Sequence, residues 1–206
     1  MQANIGHQTG VGREAGAGPF AESQGRHDFD QVIKSAHWLT LLLIICLFST
    51  AALAEAGLSD AVKLIVIQLH RSFGLTLWTV TILRLTWRQF AEFPDWPPNM
   101  PRALGIVLNY TERLLYCLLL LQPVLGLLYT NARGNTVHLY LLVRIPPLIS
   151  QDKALADSLI EAHEFVASLL LIIIASHASL MLYRHFIRRD NALNRMLPRA
   201  LRVQPR

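Results

Sequence analysis

Four histidines sit within or at the edge of long apolar runs: His37, His70, His163 and His177. Ionisable side chains are costly in such surroundings and mark function. A neutral imidazole binds iron through one ring nitrogen, while the other donates to a neighbouring acceptor that fixes the ring. His163 and His177 are 14 residues apart. On a helix they share a face within roughly 40° and stand about 21 Å apart along the axis. That spacing suits two stacked haems, one near each surface of a membrane. A lone histidine in a membrane helix is more often a satisfied polar contact than a ligand. Four histidines that pair by depth resist that explanation.

The elements that must position them are membrane helices. Crossing about 30 Å of hydrocarbon takes about 20 mostly apolar residues. Four stretches qualify: 36–54, 64–85, 104–129 (apolar centre 114–129) and 162–183. Without water to satisfy the backbone, each must be helical. The expected fold is all-α, a transmembrane four-helix bundle over residues 31–190. A glycine-rich tail (1–30) precedes it and a basic tail (191–206) follows. Lysine and arginine set its orientation. Thirteen lie before span one, between spans two and three (with Arg84 at the end of span two), or after span four; Lys63, Arg133, Arg144 and Lys153 lie in the other two connections. Both termini are therefore expected in the cytoplasm. At that orientation His37 and His177 are inner residues, and His70 and His163 are outer ones. Each depth-matched pair draws its imidazoles from two helices, as bis-histidine ligation of a haem requires. Iron with both axial positions filled has no open site, which favours electron transfer over oxygen binding.

Composition agrees with a membrane setting. Hydrophobic residues make up 52% of the 206, charged residues only 16%, and the mean hydropathy is +0.35. A disordered chain and a disulfide scaffold are excluded. The sequence pI of about 9.6 comes from cations spread along the chain with no aromatic-basic motif, so no nucleic-acid partner is expected. Cys46 and Cys117 lie in apolar runs without CxxC or CxxCH spacing, so neither a zinc site nor covalent haem attachment is signalled. Six of the 11 glycines fall in the first 25 residues, with no apolar signal region among them. His7 and His27 in that tail are read as bystanders. Asp95-Trp96-Pro97-Pro98 reads as a rigid turn between spans two and three. Trp38, Trp78, Trp87 and Trp96 read as interfacial anchors. The apolar patch 139–143 before Pro146-Pro147 is expected on the membrane surface.

Other charged residues have secondary roles in this reading. Arg71 faces a haem propionate or lipid headgroups. Arg133, in a glycine turn at the outer surface, is expected to contact a propionate or draw in an anionic donor. Glu112 and Arg113 are read as an ion pair at the rim of span three. His185 is an interfacial residue and the spare candidate for the inner site. His138, in the outer loop, is not expected to be a ligand. The basic tail contacts anionic lipid.

From about Phe29 onward the chain resembles the bacterial cytochrome b561 family of four-helix, dihaem inner-membrane proteins. Ala36-His37-Trp38 and Leu69-His70 with Gly74 resemble the first two ligand motifs, and Arg84-Leu85 with Arg88 the end of the second helix. Gln122-Pro123-Val124-Leu125-Gly126-Leu127 and Ala132-Arg133-Gly134-Asn135 resemble the third helix and its turn. Ala162-His163-Glu164 and Ser176-His177-Ala178 resemble the fourth-helix ligand sites, and Arg189-Asp190-Asn191 with Arg195-Met196-Leu197-Pro198 the terminal signature. One departure is in helix three, where Asn109 and Arg113 stand near positions at which some relatives carry non-ligand histidines.

The resemblance implies two haem b groups, a ubiquinone co-substrate and electron transfer, with superoxide at the outer face as one donor. A cytochrome subunit serving a partner hydrogenase or dehydrogenase is the alternative within this class. A proton-coupled transporter subunit with titrating histidines is the alternative outside it, against which stands the lack of inverted halves or broken helices.

Overall fold

A computed structural model of the chain describes residues 29–91, 100–189 and 192–197. Most of the two tails, His7, His27, Trp96 and the Asp95–Pro98 turn lie outside the described residues. The carboxylate of Asp30 accepts from the Val32 amide at 3.2 Å and opens α1 (Gln31–Ala54). After a turn through Gly57, α2 runs from Asp60 to Arg88. Helix α3 (Arg102–Ala132) contains Pro123. It ends at Gly134, whose φ of +77° permits two closing bonds: Gly134 N–H to Asn131 O at 2.8 Å and Asn135 N–H to Thr130 O at 3.0 Å. The positive φ is what demands glycine there; the end of the exposed Gln151 side chain, 2.9 Å from where a Cβ would sit, can swing aside. A two-stranded antiparallel hairpin follows, β1 (Val137–Leu139) paired with β2 (Val143–Ile145). Asp152 then caps α4 (Lys153–Phe186) by accepting from Leu155 N–H at 3.0 Å. The short α5 (Ala192–Met196) packs on α4.

The long helices extend beyond the apolar spans at most ends. Hydropathy marks only their lipid-compatible middles, whereas caps such as Asp30 and Asp152 set the true starts. The 139–143 patch is part of a hairpin rather than a segment lying flat, because its backbone pairs with itself and with α2. Among the described residues, three helices are long and apolar enough to cross a membrane: α1, α3 and α4. Helix α2 falls short, since Gln68, His70, Arg71, Ser72 and Arg84 interrupt its apolar run.

The four long helices meet in one cluster: Leu43 and Ile44 of α1, Leu77 of α2, Leu118 and Leu119 of α3, and Val166 and Leu170 of α4. Leu77 is only 2% exposed. Outside this cluster the order of a water-soluble protein is inverted. Leu42, Leu83, Phe165 and Ile172 point outward, as lipid contact allows. The Trp38 indole donates to Met196 O at 2.9 Å, which ties the start of α1 to α5. Both ends of the described chain therefore lie at one end of the bundle, and the hairpin lies at the other.

Candidate functional site

At the hairpin end, α2 and α4 bring His70 and His163 together. Their ring centroids are 6.4 Å apart with planes 68° to one another. His70 Nδ1 lies 3.1 Å from Leu47 O and 3.1 Å from Thr50 Oγ1. The Thr50 hydroxyl proton is already directed at Cys46 O at 2.7 Å, leaving its oxygen to accept. His163 Nδ1 lies 3.2 Å from Gln122 O. Helical carbonyls retain a second lone pair for such bonds. Because a carbonyl can only accept, each ring carries its proton on Nδ1 and keeps its Nε2 lone pair free. Gln122 also holds α4 directly, its amide donating to His163 O at 3.0 Å. Gly126, one turn along α3, leaves the space His163 occupies: a Cβ there would sit 3.0 Å from His163 Cε1.

At the termini end, His37 of α1 and His177 of α4 lie within electrostatic reach of each other and of Arg84. The His37 ring stands edge-on to Trp38 at 5.9 Å. His177 Nδ1 is buried and has no hydrogen-bond partner among the described residues. Glu112 lies within electrostatic reach of His177 and forms its ion pair with Arg88 of α2. This corrects the expected Glu112–Arg113 pair: adjacent residues on a helix diverge, and Arg113 instead lies 5.9 Å over the Tyr110 ring. Arg84 and Arg88 lie over the Tyr116 ring at 5.3 and 5.9 Å.

The remaining sequence candidates separate by position. Arg71 is half-buried and donates to Thr136 O at 3.4 Å, facing the segment that leads into the hairpin. Arg133 is exposed at the C-cap of α3. His138 lies in β1 and donates its backbone N–H to Gln68 Oε1 at 3.1 Å. His185 is buried near the end of α4, beside the Phe186 ring, and its Nδ1 has no partner among the described residues. The residues that orient the ligand candidates, Leu47, Thr50 and Gln122, act largely through backbone carbonyls, which sequence does not flag. Gly126 has a legible sign only in hindsight, one turn after Gln122 on the same face.

These histidines fit a porphyrin-bound iron better than a bare ion. Among the described residues no group of three or more His, Cys, Asp or Glu could hold a metal by itself. A porphyrin supplies four nitrogens and asks the protein for two. An imidazole nitrogen binds a metal at about 2 Å, so two rings sharing one iron have centroids roughly 6 Å apart, as His70 and His163 do. The family model for prokaryotic cytochrome b561 matches residues 28–199.

The chain belongs to the prokaryotic cytochrome b561 family.

Cytochrome b561 homolog 1 of Escherichia coli K12 is 26% identical over 166 residues, covering 79% of this chain and 93% of its own. A protein of Yersinia pestis named probable superoxide oxidase CybB is 27% identical over 167 residues, covering 79% and 92%. Cytochrome b561 homolog 2 of E. coli K12 is 25% identical over 168 residues, covering 81% and 89%. Membership makes this chain an inner-membrane cytochrome that binds b-type haem and serves electron transport.

Proposed function

We propose that this cytochrome b561 is a dihaem electron carrier that links a donor at the hairpin face to membrane quinone. Its proposed ligands are His70 and His163 for the outer haem and His37 and His177 for the inner. The domain comprises residues 31–190 and crosses the inner membrane four times, with both termini in the cytoplasm. When bound, each iron supplies a reversible one-electron couple. The protein's own part would be to hold each group with two imidazoles, to aim those rings and to exclude water. Hydrogen bonds from Nδ1 to Leu47 O and Gln122 O hold two rings and raise the donor strength of the opposite nitrogens. Helix α2 can cross as the fourth span because Gln68, Ser72 and Thr81, polar groups along its length, find hydrogen-bond partners within the protein.

The observation that carries this reading is the His70–His163 pair: ring spacing suited to a shared iron and both Nδ1 atoms committed to carbonyls. In the proposed orientation Arg71 and Arg133 lie at the periplasmic end and attract an anionic donor; the Y. pestis relative's name suggests superoxide. The test is superoxide-driven reduction of a quinone analogue by the purified protein in vesicles. Turnover that falls when Arg133→Ala is introduced supports the donor assignment. Haem-replete protein reduced by quinol but inert to superoxide removes that donor while leaving the haem ligands standing.

A further inference from the structure

The hairpin 137–145 is clasped to α2 by a ladder of side chains with matched periods. On α2, positions 68, 72 and 76 rise about 6 Å per step; along a strand, alternate residues rise about 6.6 Å. The two repeats run together. Gln68 binds the free edge of β1 at two points, Nε2 donating to Thr136 O at 3.2 Å and Oε1 accepting from His138 N–H at 3.1 Å. One turn on, Ser72 Oγ accepts from Tyr140 N–H at 2.8 Å. Another turn on, the Tyr140 hydroxyl and Thr76 Oγ1 are 2.7 Å apart. Gln68 and Ser72 are only 6% and 0% exposed beneath this cover.

The ladder also sets the depth of the tip. Thr76 neighbours Leu77, which belongs to the central cluster of all four helices. The hairpin thus runs from the end of α2 to its middle. Its tip is apolar and outward-facing: Leu142 is 85% exposed, with Leu141 and Val143 beside it. Tyr140 and Leu141 both have positive φ, 48° and 65°, in a turn closed by Leu142 N–H to Leu139 O at 3.0 Å. Such backbone costs energy without glycine. The Tyr140 bonds to Ser72 and Thr76 and its ring contact with Phe73 at 6.1 Å hold it in place.

We propose that this hairpin is re-entrant: it covers the polar face of α2 at hydrocarbon depth and presents Leu141, Leu142 and Val143 to lipid acyl chains of the outer leaflet. Non-helical backbone survives at that depth only where protein satisfies it; the α2 ladder does so along the β1 edge and β1 pairs the inner edge of β2, so the acyl chains meet the apolar tip while the exposed Arg144 on the outer edge reaches back to the headgroups. His70 points to the opposite side of α2, so the helix is screened from lipid on one side and engages His163 on the other. The inference rests on the proposed four-span reading. Placement in the outer leaflet also rests on its orientation.

The test uses full-length protein in nanodiscs with Cys46 and Cys117 replaced by alanine. Single nitroxide labels go on L142C, L83C of α2 and N135C beside the α3 terminus. Oxygen and a water-soluble nickel chelate compete to relax each label. Labels at 142 and 83 are expected to favour oxygen by a similar margin, and the label at 135 to favour nickel. Adding Gln68→Leu with Ser72→Val should shift the 142 label toward nickel and leave 83 unchanged. A nickel-favouring label at 142 beside an oxygen-favouring one at 83 overturns the re-entrant hairpin alone. Nickel preference at both overturns the span reading and the hairpin with it. Haem content, read separately by absorbance, distinguishes either failure from loss of the cofactor.

Discussion

The two histidine pairs are built differently. At the hairpin end both rings are held before any ligand arrives: Leu47 and Gln122 carbonyls fix the Nδ1 atoms, and Gly126 makes the space. At the termini end His177 Nδ1 has no partner among the described residues, and the surroundings are charged groups, Arg84, Arg88 and Glu112. One site is organised by backbone hydrogen bonds and the other by side-chain electrostatics. Under the proposed ligand set, the same ligand chemistry would be oriented by backbone carbonyls at one end of the bundle and set among charged side chains at the other.

Removing a ligand gives the largest effect on this contrast. His163→Ala is expected to abolish the outer haem and halve the haem-to-protein ratio while the inner haem stays. His177→Ala should do the converse. Quantifying extracted haem checks both. Next in size is loading order. Prior fixation of two rings spares roughly 0.5–1.5 kcal/mol per side chain. Together that is about 1–3 kcal/mol, or roughly five-fold to a hundred-fold in affinity. Apoprotein given less haem than it can bind should therefore fill the outer site first, seen by repeating the titration in the two single-histidine variants. Equal filling would erase the proposed distinction.

Much of the site was legible because intramembrane histidines are rare and their spacing obeys helix geometry. His37, His70, His163 and His177 lie on three helices, and the rings of His70 and His163 stand 6.4 Å apart. The extent of α4 was less legible, since its first turns, capped by Asp152, are too polar for a hydropathy reading. The hairpin was hidden because its partners, Gln68, Ser72 and Thr76, look like isolated polar residues until β1 is laid against them. The Glu112 partner is not legible from neighbouring residues, because Arg88 comes from another helix, 24 residues away in sequence.

Smaller perturbations sharpen the comparison. Gly126→Ala places a Cβ against His163 and should cost about 1–3 kcal/mol of overpacking. The effect is expected as weakened outer-haem retention with the inner haem unchanged, measured by haem transfer to an acceptor protein. Glu112→Gln breaks a partly exposed ion pair, and such pairs contribute at most about 1 kcal/mol. Thermal stability should move little, while the inner haem potential rises as a negative charge near His177 is removed. A spectroelectrochemical titration reads that shift, and an equal shift at the outer haem would contradict the assignment of sites.

The central claim is that imidazoles on α1, α2 and α4 hold two irons. A reduced-minus-oxidised spectrum of purified protein, calibrated by haem extraction, tests it most directly. Two low-spin haem b per chain, falling to one in both His163→Ala and His177→Ala, is the predicted result. A single haem that survives the loss of either histidine would contradict the account.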